Sequence, residues 1–153
     1  MKREATTDKG GVTLSTGHPQ LLAEIRAEIA ARGPISFARF MELALYHPQY
    51  GYYVRPVEDP TQERIGWSGD FYTSSDVHPI LGQALAKQAQ QLDACLGHPD
   101  PFTVVEMGPG KGLLARDFLT ACQNAPANLS ERLRYILIER SASMRAQQHQ
   151  HVA

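Results

Sequence analysis

The sequence predicts an α/β fold with a parallel sheet. Three features predict it. Phe102–Met107 and Tyr135–Ile138 are short β-branched and apolar runs, the pattern of strands buried in a parallel sheet. Between them, Gly112–Cys122 carries Leu113, Leu114, Phe118 and Leu119 at helical spacing,. After the second run, Ser141 can cap a further helix through about Gln148,. Strand, helix, strand, helix is the order of a βαβ unit.

The remaining elements follow in chain order. Met1–Gly17 mixes acids, bases, Thr and Gly, without the apolar core of a secretory signal or the Arg-rich pattern of a transit peptide. It reads as a mobile lead-in. Leu22, Ile25 and Ile29 place a first helix over about Gln20–Arg32, which Gly33-Pro34 stops,. Ser36 caps a second helix through Leu45, with Phe37, Phe40, Met41 and Leu45 on one side,. From His47 to Ser75 the chain is rich in Pro, Gly, Asp, Ser and Thr, with aromatics among them. A long irregular segment of this kind is functional when its aromatics argue against disorder. Tyr52 and Tyr53 either line a substrate groove or pack the N-terminal helices onto the sheet. A third helix spans about Pro79–Leu96, with Ile80, Leu81, Ala84, Leu85, Gln88 and Leu92 as its apolar face and Asp76 as a cap before it,. Asn124–Ser130 reads as a loop.

Composition narrows the function. With 153 residues and 42% hydrophobic content, the chain has enough material for a real core,. A net charge of −1 gives no electrostatic case for nucleic acid or an anionic membrane,. No apolar run approaches the roughly 20 residues that span a bilayer. Cys95 and Cys122 fall among apolar helical positions and read as buried free thiols, as in a reducing cytoplasm,. The histidines lack ligand spacing, so no metal site is expected. Arg132, Arg134, Arg140 and Arg145 read as solvated surface.

The chemistry concentrates at Glu106-Met107-Gly108-Pro109-Gly110-Lys111-Gly112. A glycine-rich turn at the carboxyl end of a parallel strand lets a ligand approach the backbone, and the next helix offers unpaired N–H groups. A P-loop needs Lys followed by Ser or Thr after a longer spacing; Lys111 comes too early. A dinucleotide site prefers G-x-G-x-x-G, whereas this loop reads G-x-G-x-G,. Glu106 would repel a pyrophosphate and attract an ammonium or sulfonium. That favours S-adenosylmethionine (SAM) over a nicotinamide dinucleotide. Glu139 ends the second strand at the same sheet edge, where a carboxylate can accept both hydroxyls of a ribose. The bland alternative is two acids at strand ends satisfied by helix N-termini.

Val104–Leu114 resembles motif I of class I SAM-dependent methyltransferases. Taken with Gly33–Met41, His47-Pro48, Gly51–Tyr53, Gly69–Asp76, Gly82-Gln83 and Ile138–Ser141, the chain resembles the MidA-like family, over about Leu21–Gln147. The resemblance implies a Rossmann-like SAM domain beginning in 101–153, preceded by a helical and substrate-facing segment over 18–100. It implies that Glu106, Gly108, Pro109, Gly110 and Gly112 line the methionine part of SAM and that Glu139 holds the ribose. It implies that Gly69–Asp76 covers the cofactor and faces a protein substrate, with arginine as acceptor and a respiratory complex I subunit as a candidate partner. The setting implied is cytoplasmic, or the mitochondrial matrix for eukaryotic relatives. The family's sheet is larger than the two strands read here, so the chain reads as truncated.

A guanidinium acceptor needs carboxylates to orient it. Asp70 is the candidate catalytic residue, with Tyr72, Thr73, Ser74, Asp76 and His78 facing the substrate. Structural alternatives stand beside these: Asp70 as a turn residue, Asp76 as a helix cap, Thr73 and Ser74 as ordinary loop residues, His78 as a lone structural histidine. Two rival functions remain open: a non-enzymatic assembly factor on the same fold, and an NAD(P)-dependent oxidoreductase.

Overall fold

The computed structural model of the chain describes residues 6–7, 13–14, 17–55, 64–123 and 125–152. The chain forms two compact units, Met1–Pro56 and Val57–Ala153.

In the first unit, the two-residue strands β1 (Thr6–Thr7) and β2 (Thr13–Leu14) pair antiparallel. The rest of the expected lead-in up to Thr16 lies outside the described residues. Helix α1 spans Pro19–Arg32 and α2 spans Phe37–Tyr46. Gly33 ends α1 at a φ of 85°, where its N–H donates to the Ile29 carbonyl at 2.8 Å. Ser36 caps α2 as expected, accepting from the Arg39 N–H at 3.1 Å. The helices meet through Leu21, Ile25 and Leu43, with Ile35 and Tyr50 against them. The face expected for α2 is not the buried one: Phe37 is 74% exposed and Phe40 42%. Ile29 of α1 is also exposed. Two short helices share a narrow seam, and residues more than a turn from it stay outside. Tyr53 packs on Tyr46 and Tyr52, with ring centroids 5.6 and 5.0 Å apart, so these tyrosines pack locally against α2.

The second unit contains α3 (Ser74–Val77), α4 (Ile80–Cys95), β3 (Phe102–Met107), α5 (Leu113–Cys122), α6 (Leu129–Arg132), β4 (Leu133–Ile138) and α7 (Ala142–His151). The expected loop 124–130 is partly helical, because the Leu129 side chain, fully buried, anchors α6 in the core. Strands β3 and β4 pair parallel, from Phe102 opposite Leu133 to Met107 opposite Ile138. The βαβ unit is present as the pattern required.

The core lies between the sheet and α4 and α5. It comprises Ala86, Ala89, Phe102, Phe118, Cys122 and Leu129. Helix α4 buries Gly82, Ala86, Ala89 and Asp93, a stripe of mostly small residues. Its expected face is outside: Ile80, Leu81, Leu85 and Leu92 are exposed. The reason is close packing on α5. A Cβ at Gly82 would lie 2.6 Å from the Cβ of Asp117 and 2.9 Å from the backbone nitrogen of Phe118, so larger residues cannot take the inner face,. The strands are buried on one side only, since Val105, Met107, Ile136 and Ile138 form an exposed apolar face in this chain. Cys122 is buried as expected, whereas Cys95 is exposed at the end of α4.

Arg132 is not solvated surface. Its guanidinium forks onto buried Asp93, with Nη1 donating to Oδ1 and Nη2 to Oδ2, both at 2.9 Å, and Nη1 also donates to the Pro99 carbonyl at 2.6 Å. His98 Nδ1 stands 2.7 Å from Oδ2. The Arg132 hydrogen bonds, with those from His98, hold the Asp93 carboxyl down to about 2 against the opposing effect of burial. A carboxyl depressed in the folded state stabilises the fold above its unfolded value near 4, and loses that contribution as pH falls toward its folded value. The urea midpoint should therefore drop between about pH 4 and about pH 2,. Asp93→Asn should flatten that part of the profile; identical acid slopes in the two proteins would contradict this role.

Candidate functional site

The parallel register aligns the carboxyl ends of β3 and β4, so the chain leaves both strands at one edge. The Gly108 N–H donates to the Ile138 carbonyl at 2.9 Å, which carries the pairing one step past the strand. Gly108, Gly110 and Gly112 have φ of 69°, 55° and 84°, a region unfavourable for residues with a Cβ. At Gly108 and Gly110 an added Cβ would meet nothing within 4 Å, so the backbone there is open to an approaching group. Gly112 differs, since its Cβ would lie 2.9 Å from Val152 Cγ2 and 3.4 Å from Gln148 Cγ. Pro109 is buried beneath the turn. Gly112 also begins α5 without a side-chain cap.

Glu139 ties the two strand-end loops together. Its Oε2 accepts from the Gly110 N–H at 3.1 Å and its Oε1 from the Ser141 N–H at 2.7 Å. Ser141 in turn begins α7, accepting from the Met144 N–H. The Gln148 side chain, one face along α7, donates to the Gly110 carbonyl at 2.8 Å. Arg145 is exposed, as expected, and donates to the Glu139 and Arg140 carbonyls at 2.7 and 2.9 Å. Each oxygen of Glu139 keeps a second acceptor site.

Glu106 occupies the face of β3 that the helices cover, and its Oε2 accepts from the Tyr135 hydroxyl at 2.8 Å. Burial raises the Glu106 pKa and the Tyr135 hydrogen bond opposes that rise. Burial, followed by the Glu106 hydrogen bond and charge, raises the Tyr135 phenol. Glu106 is thus a carboxylate drawn partly out of water with a neutral donor beside it.

The Arg64–Tyr72 loop folds back on itself. The Asp70 N–H donates to the Arg64 carbonyl and the Gly66 N–H to the Phe71 carbonyl, both at 2.9 Å. Gly69 is required by close approach, because a Cβ there would overlap the Arg64 backbone. Asp70 and Tyr72 are exposed, and Tyr72 stacks on Trp67 with centroids 4.9 Å apart. Asp76 does not cap α4, where Pro79 takes the cap position. It closes α3 instead: Oδ2 accepts from both the N–H and the hydroxyl of Thr73, each at 2.8 Å. Its Oδ1 lies 3.4 Å from the Lys111 ammonium, and both side chains are largely buried. Burial disfavours the charged Asp76, but the Thr73 bonds and Lys111 outweigh it, and the pKa falls below the ordinary value. His78 Nδ1 accepts from the Ile80 N–H at 3.1 Å, a local role at the α3–α4 junction. Ser74 is exposed at the start of α3.

The Asp76–Lys111 pair brings the Gly69–Asp76 segment to the glycine loop. Sequence reasoning missed it, and missed Tyr135 and Gln148. Lys111 carried a signal, as a cation between two loop glycines needs a counter-charge when its side chain is covered. Tyr135 and Gln148 carried none beyond their helix and strand positions. Among the described residues, no helix is long and apolar enough to cross a membrane.

Comparison with known proteins points to one family. Residues 80–153 match the family described as "Putative S-adenosyl-L-methionine-dependent methyltransferase". The mitochondrial protein arginine methyltransferase NDUFAF7 homolog of Drosophila melanogaster is 38% identical over 104 residues, 68% of this chain and 22% of that protein. Mitochondrial protein arginine methyltransferase NDUFAF7 of Danio rerio is 31% identical over 128 residues, 84% of this chain and 29% of that protein. A Burkholderia thailandensis protein crystallised with S-adenosyl-homocysteine is similar in structure, with a TM-score of 0.70 at 30% identity, over 92% of this chain and 36% of that one. The chain therefore spans less than a third of the length of these curated relatives. It belongs to the MidA-like family of SAM-dependent methyltransferases, and its βαβ unit is part of their Rossmann-like α/β fold.

Removing the Asp76 carboxylate should cost about 1.5–3 kcal/mol, the range for hydrogen bonds to a charged group. In Asp76→Ala, the Thr73 amide should lose its hydrogen-exchange protection, and the urea midpoint should fall. Unchanged protection at Thr73 would contradict the capping role.

Proposed function

We propose that this member of the family binds SAM at the glycine loop and takes part in methyl transfer to arginine side chains of a protein. One observation carries the reading: a glycine loop with open backbone stands between two carboxylates, Glu106 and Glu139, while its own cation is turned to Asp76. That arrangement suits a cationic, amino-acid-bearing nucleoside. It would repel a pyrophosphate, which is why a nicotinamide dinucleotide is the poorer fit. The relative solved with S-adenosyl-homocysteine supports the same ligand class.

The residues present fit that cofactor. Gly108, Pro109, Gly110 and Gly112 would shape the cradle for its methionine part, with Glu106 facing the ammonium. Glu139 would accept the ribose hydroxyls with the acceptor sites that Gly110 and Ser141 leave. SAM supplies an electrophilic methyl group on a sulfonium, so the protein's task is largely to hold the acceptor in line. Asp70 and Tyr72 present a carboxylate and an aromatic face on the exposed loop, the groups that orient a guanidinium. Thr73, Ser74 and His78 would border the acceptor, and Asp76 would act through Thr73 and Lys111 instead of touching it.

The protein substrate follows from the names of the relatives, both arginine methyltransferases. A respiratory complex I subunit is the candidate acceptor that the family resemblance suggests. The free thiols accord with a reducing compartment such as a bacterial cytoplasm or, in eukaryotes, the mitochondrial matrix,. An assembly factor without catalysis would have no need of a cofactor cradle, which weighs for the enzyme.

Glu139→Ala should weaken S-adenosyl-homocysteine binding at least about 10-fold, since each hydrogen bond lost to a charged group is worth roughly 1.5–3 kcal/mol. Calorimetry reads this directly; unchanged affinity would remove Glu139 from the site. Asp70→Ala should abolish methylation by the full-length protein and leave SAM binding within a few-fold. Unchanged turnover would dismiss the Asp70 role.

A further inference from the structure

We propose that Tyr135 is a positioning residue of the cofactor site, whose phenol holds the Glu106 carboxylate in the orientation that receives the ammonium group of the cofactor. The inference rests on the reading of Glu106 given above, and it extends the site to a strand the sequence treated only as core.

The geometry comes from the strand register. Tyr135 lies opposite Val104, and Glu106 lies opposite Leu137. The two side chains therefore share the helix-covered face as a diagonal pair, within reach for a long side chain. Phe118 of α5 meets the Tyr135 ring edge-on at 5.2 Å and fixes its plane. The hydroxyl then donates to Glu106 Oε2 at 2.8 Å, and no other partner holds Glu106 among the described residues. Without that bond a half-buried carboxylate would swing toward water or take up a proton.

The surroundings leave Tyr135 as the controlling group. From α5, Cys122 faces the phenol, and burial keeps its thiol neutral. Also on α5, Arg116 and Asp117 pair with each other. From α4, Asp93 is paired with Arg132 at the amino end of β4, the opposite end of the strand pair. Lys111 of the loop is drawn to Asp76. Burial and the neighbouring carboxylate keep the phenol protonated, so it donates throughout the neutral range.

The test compares two ligands on the full chain across the acid-to-neutral range by calorimetry. S-adenosyl-homocysteine carries the amino-acid group; 5′-methylthioadenosine has the same nucleoside thioether without it. For the unaltered protein, affinity for S-adenosyl-homocysteine relative to methylthioadenosine should show an acid limb, falling as Glu106 gains a proton, since any effect of Glu139 on the shared ribose cancels in that ratio. Tyr135→Phe should move the limb to higher pH and weaken S-adenosyl-homocysteine several-fold at neutral pH, with methylthioadenosine unchanged. A 3-fluorotyrosine at 135, a stronger donor of nearly the same shape, should move the limb the other way, which keeps the test usable if the Phe variant folds poorly. Superimposable S-adenosyl-homocysteine profiles in all three proteins, with Glu106→Gln still removing the limb, would overturn the proposal. So would equal weakening of both ligands, which marks a merely structural role. If Glu106→Gln leaves the limb in place, or the unaltered protein binds neither ligand, the cofactor reading itself fails and this inference falls with it.

Discussion

The site depends on the parallel pairing of Phe102–Met107 with Leu133–Ile138, which makes two strands end at one level. A slip of one residue would turn every side chain of one strand to the other face. It would carry Tyr135 away from Glu106 and Glu139 away from the glycine loop. The ladder does not stop at the strand ends, since Gly108 continues it to Ile138. Glu139 then joins the Gly110 and Ser141 amides through one carboxylate. The two strand-end loops are thereby one hydrogen-bonded unit, and α7 is added to it through Gln148.

Charge is distributed around that unit with a clear sense. Two carboxylates flank the glycine loop, and the one lysine within it faces Asp76. In a phosphate-binding loop a lysine would be directed at the ligand. Here its charge is matched within the protein, so the field at the open glycine backbone is set by acids. The same ion pair also explains how a segment some forty residues upstream comes to border the loop. Asp76 serves the cap of α3 and the loop cation at once. The Gly69–Asp76 segment and the glycine loop of the second unit are therefore mechanically connected.

Much of this was legible in the residues. The β-branched runs, the glycine loop and the capping serines Ser36 and Ser141 each act through local chemistry, and each took the expected place. The inner face of α4 was not legible. That helix carries an apolar stripe and a small-residue stripe, and periodicity favours the former; only the close approach at Gly82 decides for the latter. Arg132 looked like surface because its partner Asp93 is 39 residues away. Tyr135 looked like core, and it is core along its ring; the hydroxyl reveals its second role only once the register is known. The failures share a cause: pairing across long sequence separations leaves no periodic trace.

The most direct test of the central claim is a crystal structure of the chain with S-adenosyl-homocysteine. The account predicts the ligand over Gly108 and Gly110, its ammonium within hydrogen-bonding distance of Glu106 and its ribose hydroxyls on Glu139. Ligand density elsewhere in the second unit, with both carboxylates uninvolved, would contradict it.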